Sequence, residues 1–340
     1  MASEINLMEL GPNKLCAPAL RNPRVRKNVA RMLEISGGHL LSLPFDHREE
    51  HGADKYYADG RYYKADVMNV IECAVKGKFA AVALLPGGAL LAKKLHPELP
   101  VIAKMNSSLR DPNGEQYCVL TGAVEDMAKA GVEFVGMTYY YGNAHEDEFR
   151  RQLVLLDREA AKYNMGLIVW NYPRGIRVPK AFESALHTQR SGADMIISIA
   201  CNSLLLLKEK ITVPYNVEAW EREDPDFMRT NFKKPGAKGV KDDEVRKLLS
   251  LSRSELIERL VRPQLRLGIA SMMSGGEIQK EESFKKDLAD GVGPTKHLGL
   301  IAGRSTWGAA EYDWQTDTFN NEKVLAHAEL MHNSLPPVTC

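Results

Sequence analysis

The chain lacks any long apolar run. No segment approaches the roughly 20 consecutive apolar residues that a membrane-spanning helix requires, so no membrane partner is expected. The first residues, MASEINLMELGPNKL, carry no basic cluster ahead of an apolar stretch and do not read as a signal peptide. Neither sign of charge is in excess: 45 Lys and Arg face 44 Asp and Glu, a formal net charge of +1. A dedicated nucleic-acid binder ordinarily carries a basic surplus, so no nucleic-acid partner is expected. Cysteine is scarce. Cys16, Cys73, Cys118, Cys201 and Cys340 are odd in number and never in C-x-x-C spacing. Such usage predicts free thiols in a reducing compartment, the cytoplasm. No G-x-G-x-x-G turn follows the first apolar segment, which weakens the case for a doubly wound open sheet.

What is present is an alternation of two kinds of segment. Short runs rich in Val, Ile, Leu, Ala and Met suit strands buried on both faces. Eight are predicted, at 38–46, 80–86, 101–106, 132–140, 166–172, 193–200, 268–274 and 297–303. Helical periodicity fills intervals between them, at 66–76, 122–130, 145–164, 178–190 and near 254–266. Eight strands alternating with helices predict an α/β fold, a single (β/α)8 TIM barrel. The predicted organisation is one domain over 1–340, with a barrel core at about 38–310 and a helical tail at 321–340. The interval 201–267, after the sixth strand, is about twice an ordinary crossover; it reads as an inserted lid, a partner surface or a passive insertion.

In a barrel, chemistry gathers where each strand runs into its following loop. Those ends hold Asp46-His47-Arg48-Glu49-Glu50-His51, Lys104 and Asn106, Tyr139-Tyr140-Tyr141, Trp170-Asn171-Tyr172, Ser274-Gly275-Gly276 and Gly303-Arg304. Glycines let backbone N–H groups approach an anion, and arginine adds a forked cation. The ends of strands seven and eight are therefore a candidate phosphate site: Ser274, Gly275, Gly276, Gly303 and Arg304. Tyr172 carries a phenol able to relay a proton; the plainer alternative is a tyrosine that only packs. Lys104 is a lone lysine in the apolar run VIAKMN, and lysine is rarely buried without a partner. It is either half of a structural ion pair or an amine whose desolvation suits it to act as a nucleophile. The DHREEH run offers acid/base groups or metal ligands, with His47 and His51 four apart. No second cluster supports a metal, and none is expected.

Taken in order, these pieces resemble the archaeal and bacterial, DhnA-type class I fructose-bisphosphate aldolases. The matching segments are LPFDHREEHG at 43–52, IAKMN at 102–106, GMTYYYG at 136–142, VWNYPRG at 169–175, GADM at 192–195, SGG at 274–276 and GLIAGR at 299–304. The resemblance implies that Asp46 is the active-site aspartate of strand one, that Tyr172 is the general acid/base and that Trp170 lines the pocket. It implies phosphate binding by the strand-seven and strand-eight residues, a homo-oligomer, and no cofactor. Lys104 matches a lysine that lies in the family's active site without forming the covalent intermediate. The family's Schiff-base lysine belongs to a segment of the form GAD-x-x-K-x-K, and both lysine positions here are isoleucine, Ile197 and Ile199. Arg48 also replaces a usual glycine. The expected function is an aldolase-type carbon–carbon lyase or transferase acting on a phosphorylated sugar or keto compound. Asp46, Lys104 and Tyr172 are its candidate catalytic residues, and the carbonyl is activated by Lys104 as a relocated amine or by hydrogen bonds alone. The alternatives are a non-catalytic homologue that binds a sugar phosphate or a partner, and a metal-assisted aldolase or isomerase.

Overall fold

The computed structural model describes residues 23–46, 66–141, 143–173, 210–214, 252, 254–255, 258, 270–274, 281–293, 296–303, 306, 310–313, 315–316 and 318–335. The first strand, β1 (Leu40–Phe45), has the sequence LLSLPF and every residue is buried. A run without polar alternation is what a strand covered on both faces requires. Its parallel neighbours are β2 (Ala81–Leu84) on one side and β11 (Gly299–Ile301) on the other. From β2 the ladder continues through β3 (Val101–Lys104), β6 (Phe134–Tyr141), β7 (Gly166–Pro173) and β8 (Lys210–Pro214) to β9 (Ala270–Ser271). From β11 it continues to β10 (Met273–Ser274). Only Met272 separates β9 from β10, so the two are one strand bonded to β8 at its start and β11 at its end. The sheet thereby closes on itself as eight parallel strand positions, the predicted barrel.

One prediction is corrected. The segment 193–200, expected as strand six, lies outside the described residues. The place beside β7 is taken by Lys210–Pro214, in register from Leu167↔Lys210 to Asn171↔Pro214. Periodicity cannot choose between two short apolar runs. The β-branched sequence ITV suits a strand, and its flanking lysines disguise it as a loop. The long interval still follows strand six but begins after Pro214, and most of it lies outside the described residues. So do the expected helix at 178–190 and most of that at 254–266.

Helices cover the ring. They are α1 (Pro23–Ile35), α2 (Val67–Lys76), α3 (Pro86–Leu95), α4 (Val124–Lys129), α5 (Glu146–Lys162), α6 (Glu281–Gly291) and α7 (Glu322–Ser334). Asp66 caps α2 by accepting from the Asn69 N–H at 2.8 Å, and α3 opens on Pro86, where no N–H is missed. Glu146, Asp147 and Glu148 occupy the positive first turn of α5. The helix buries Phe149, Leu153, Leu156 and Ala160 and leaves Val154 outside. Below the barrel, Lys93 is buried among the Pro97 and Leu99 carbonyls and Glu133, whose other oxygen accepts from the Val101 N–H. This clamp fixes where β3 begins. A hairpin, β4 (Asn106–Arg110) with β5 (Gln116–Leu120), rises from the other end of β3. The DPNG turn at 111–114 is its signal in the sequence. A second hairpin, β12 (Glu311–Asp313) and β13 (Thr318–Asn320), follows β11. No helix among the described residues is long and apolar enough to cross a membrane.

Candidate active site

The inner face of the barrel is marked by Ser42, whose hydroxyl donates to the Met272 Sδ at 3.9 Å across the intervening β11. Side chains on a strand alternate, so Asp46, four residues after Ser42, leaves β1 on that inner face at the C-terminal end. Lys104 ends β3, on the far side of β2. Its Nζ lies 3.6 Å from Asp46 Oδ2, and the two side chains keep only 2 % and 1 % of their exposure. The separation is that of an ion pair slightly longer than a hydrogen bond. Charges so far from water interact several times more strongly than at a surface.

The wall beside Lys104 is built by a glycine. Lys104 is in register with Gly136 of β6, and a Cβ there would collide with the Trp170 ring at Cζ3. The missing side chain leaves room for the indole, which is itself buried. Asp46, Lys104 and Trp170, drawn from three strands, thus share the interior at one end of the barrel. Tyr172 is two residues beyond Trp170 on β7, in register with Tyr140. Ser274 ends β10 opposite Ile301. Gly303 is buried just past β11, and its carbonyl accepts from the Thr306 N–H at 2.8 Å, the first turn after the strand. Gly275, Gly276, Arg304 and the residues 47–51 lie outside the described residues, as do Ile197 and Ile199. No group of three or more His, Cys, Asp or Glu suited to a metal occurs among the described residues.

Asn106 and Tyr139, noted at strand ends without a role, find partners here, and Gln152 escapes the sequence reading altogether. Asn106, immediately above Lys104, uses both ends of its amide on the Thr138 backbone. Gln152 reaches it from α5. Tyr139 donates to Glu146 at 3.3 Å, and burial, reinforced by the nearby Glu146 carboxylate, pushes its phenol up to about 12. Tyr139 therefore stays protonated near neutral pH. The signal for Asn106 was a polar residue two positions after the buried lysine, at a strand end.

A model of the DeoC/LacD family aldolases matches residues 40–309. A class 1 fructose-bisphosphate aldolase of Thermoproteus tenax is 31 % identical over 272 residues, 79 % of this chain and 84 % of that protein. A fructose-bisphosphate aldolase/6-deoxy-5-ketofructose 1-phosphate synthase of Methanocaldococcus jannaschii is 26 % identical over 172 residues, 48 % of this chain and 55 % of that one. Among solved structures, a Schiff-base-forming fructose-1,6-bisphosphate aldolase superposes with a TM-score of 0.61 at 21 % identity, covering 91 % of this chain and 100 % of that one. That likeness bears on the fold.

Proposed function

Because the chain belongs to the DeoC/LacD family of aldolases, we propose that it cleaves or forms a carbon–carbon bond in a phosphorylated sugar or keto compound. The observation that carries this reading is the buried pair of Lys104 and Asp46, 3.6 Å apart where strands one and three end. An ammonium held beside a carboxylate can pass its proton across, and the freed amine is a nucleophile for a carbonyl carbon. Attack by Nζ expels the carbonyl oxygen as water and leaves an iminium. When the bond between the α and β carbons breaks, its electron pair moves into the iminium to give an enamine. The β-hydroxyl gives up its proton and departs as an aldehyde. Protonation of the enamine and addition of water release the second product and restore the amine. In this proposal Tyr172 handles the β-hydroxyl proton, and Asp46 takes the lysine proton and orients hydroxyls. Trp170 walls the pocket, and Ser274, Gly275, Gly276, Gly303 and Arg304 hold the phosphate. The buried free thiols Cys73 and Cys118 suit the reducing cytoplasm.

The test is borohydride reduction in the presence of fructose 1,6-bisphosphate, with and without chelator, read by intact mass and peptide mapping. The expected result is chelator-insensitive cleavage and an adduct on Lys104 that Lys104→Met abolishes. Cleavage without an adduct would assign the carbonyl to hydrogen-bond activation. Folded protein that cleaves no phosphorylated ketose would overturn the aldolase reading.

A further inference from the structure

We infer that Asn106 is the positioning residue for Lys104, an inference that rests on the function proposed above. The ladder between β3 and β6 runs only from Ile102↔Phe134 to Lys104↔Gly136, closed by the Met105 N–H on the Gly136 carbonyl at 2.7 Å. There the backbone of strand three turns away. The Met105 carbonyl accepts instead from the Thr121 N–H, at the foot of the hairpin. Strand β6 nevertheless runs on to Tyr141, so its edge facing β3 loses its backbone partner at Thr138. The Asn106 side chain takes over that rung. Its Oδ1 accepts from the Thr138 N–H at 2.8 Å, and its Nδ2 donates to the Thr138 carbonyl at 3.0 Å. A carboxamide reproduces a peptide group, one donor and one acceptor, and the polarity of the Thr138 backbone fixes which way round it sits.

The second Nδ2 hydrogen is directed to Gln152 Oε1 at 3.3 Å, and Gln152 Nε2 donates to the Cys118 carbonyl at 2.7 Å. Strand β6, the end of strand three, helix α5 and the hairpin are thus tied through two amides. Asn106 and Thr138 are fully buried and Gln152 nearly so. Lys104 is two residues from this knot, its own backbone held by the last true rung. The chain leaves the barrel between them, so Asn106 prevents strand three from peeling away and carrying the amine off Asp46. Aspartate cannot substitute: it offers two acceptors and would face the Thr138 carbonyl with a second oxygen. Glutamine has the right groups on an arm one methylene too long.

The test compares wild type, Asn106→Asp, Gln152→Leu and Lys104→Met for kcat, KM and the pH profile of kcat/KM, normalised to folded protein by circular dichroism. Asn106→Asp should lower kcat by about 10- to 100-fold, the scale of a 1 Å misplacement. KM should stay within a few-fold, and the pH limb set by the Lys104–Asp46 pair should shift. Gln152→Leu, which removes one of the three bonds of the Asn106 amide and the tie to the Cys118 carbonyl, should move kcat and the pH limb in the same direction by less, and it serves where Asn106→Asp does not fold. An unshifted pH profile with normal kcat per folded molecule in both variants overturns the inference, even where Lys104→Met is inactive. A fully active Lys104→Met overturns the role of the amine, and with it any role for Asn106 in positioning it.

Discussion

Lys104 and Asp46 meet where almost no water reaches, so each helps to keep the other charged. Removing one partner of a buried pair strands the other, at a cost of about 3–5 kcal/mol, whereas replacing both with apolar residues of similar volume is often neutral or better. Urea unfolding of Asp46→Asn and of Lys104→Met should show losses of that order. The double variant Asp46→Leu/Lys104→Met should recover most of them while losing turnover. Equal, additive losses would mean that the charges do not interact. Gly136 has a different residue-scale role, since it leaves the space that the Trp170 indole fills. Gly136→Ala should cost about 1–3 kcal/mol through overpacking and alter the Trp170 fluorescence. An unchanged emission spectrum would show that the ring does not need the space.

Between elements, the end of β6 is joined to the start of α5 by Tyr139, which donates to the buried Glu146. A phenol whose pKa rises in the folded state contributes stability that is complete below its unfolded value near 10. That contribution is lost as the pH climbs to about 12. Denaturant midpoints between pH 9 and 12 should therefore fall more steeply for wild type than for Tyr139→Phe. Parallel slopes would remove Tyr139 as the cause. The junction also carries the tip of the first hairpin. His145 Nε2 stands 3.0 Å from Asp111 Oδ2, and this hydrogen bond holds the Asp111 carboxyl below its usual range. The contribution of Asp111 is present above the unfolded carboxylate value and lost as the pH falls through the lower folded one. Acid should accordingly loosen the hairpin amides first, as read by hydrogen exchange.

For the whole molecule, closure of the sheet brings distant residues to one end. Strands one and eight are neighbours through Leu40↔Gly299, although 259 positions apart in number, and a Cβ on Gly299 would collide with the Leu40 carbonyl. The ends of strands seven and eight, Ser274 and Gly303, therefore stand at the same end of the barrel as Asp46. If Arg304 binds the phosphate there, Arg304→Ala should weaken a phosphorylated ketose about 10- to 150-fold, the worth of a charge-assisted hydrogen bond. An unphosphorylated analogue should bind as before. Isothermal titration with both ligands checks this, and equal weakening would assign Arg304 to the fold.

The sequence by itself determined the barrel, because buried parallel strands need continuous apolar runs and crossover helices need a 3.6-residue period. The first pattern survives in the bare strings LLSLPF, AVAL and VIAK, and the second in VMNVIECAVK. It also marked Lys104, since a lysine within such a run needs a partner, and Asp46, at the end of a strand. It put strand six at 193–200 because that run is the longer and more apolar, while Lys210–Pro214 hides its ITV behind lysines, and only pairing with β7 reveals it. Tertiary structure alone decided that Asp46 is the partner of Lys104 across β2, that Gly136 makes way for Trp170, and that an asparagine amide completes the ladder beside Thr138. Each is a contact between strands, and a contact exists only after the sheet has closed and set the register.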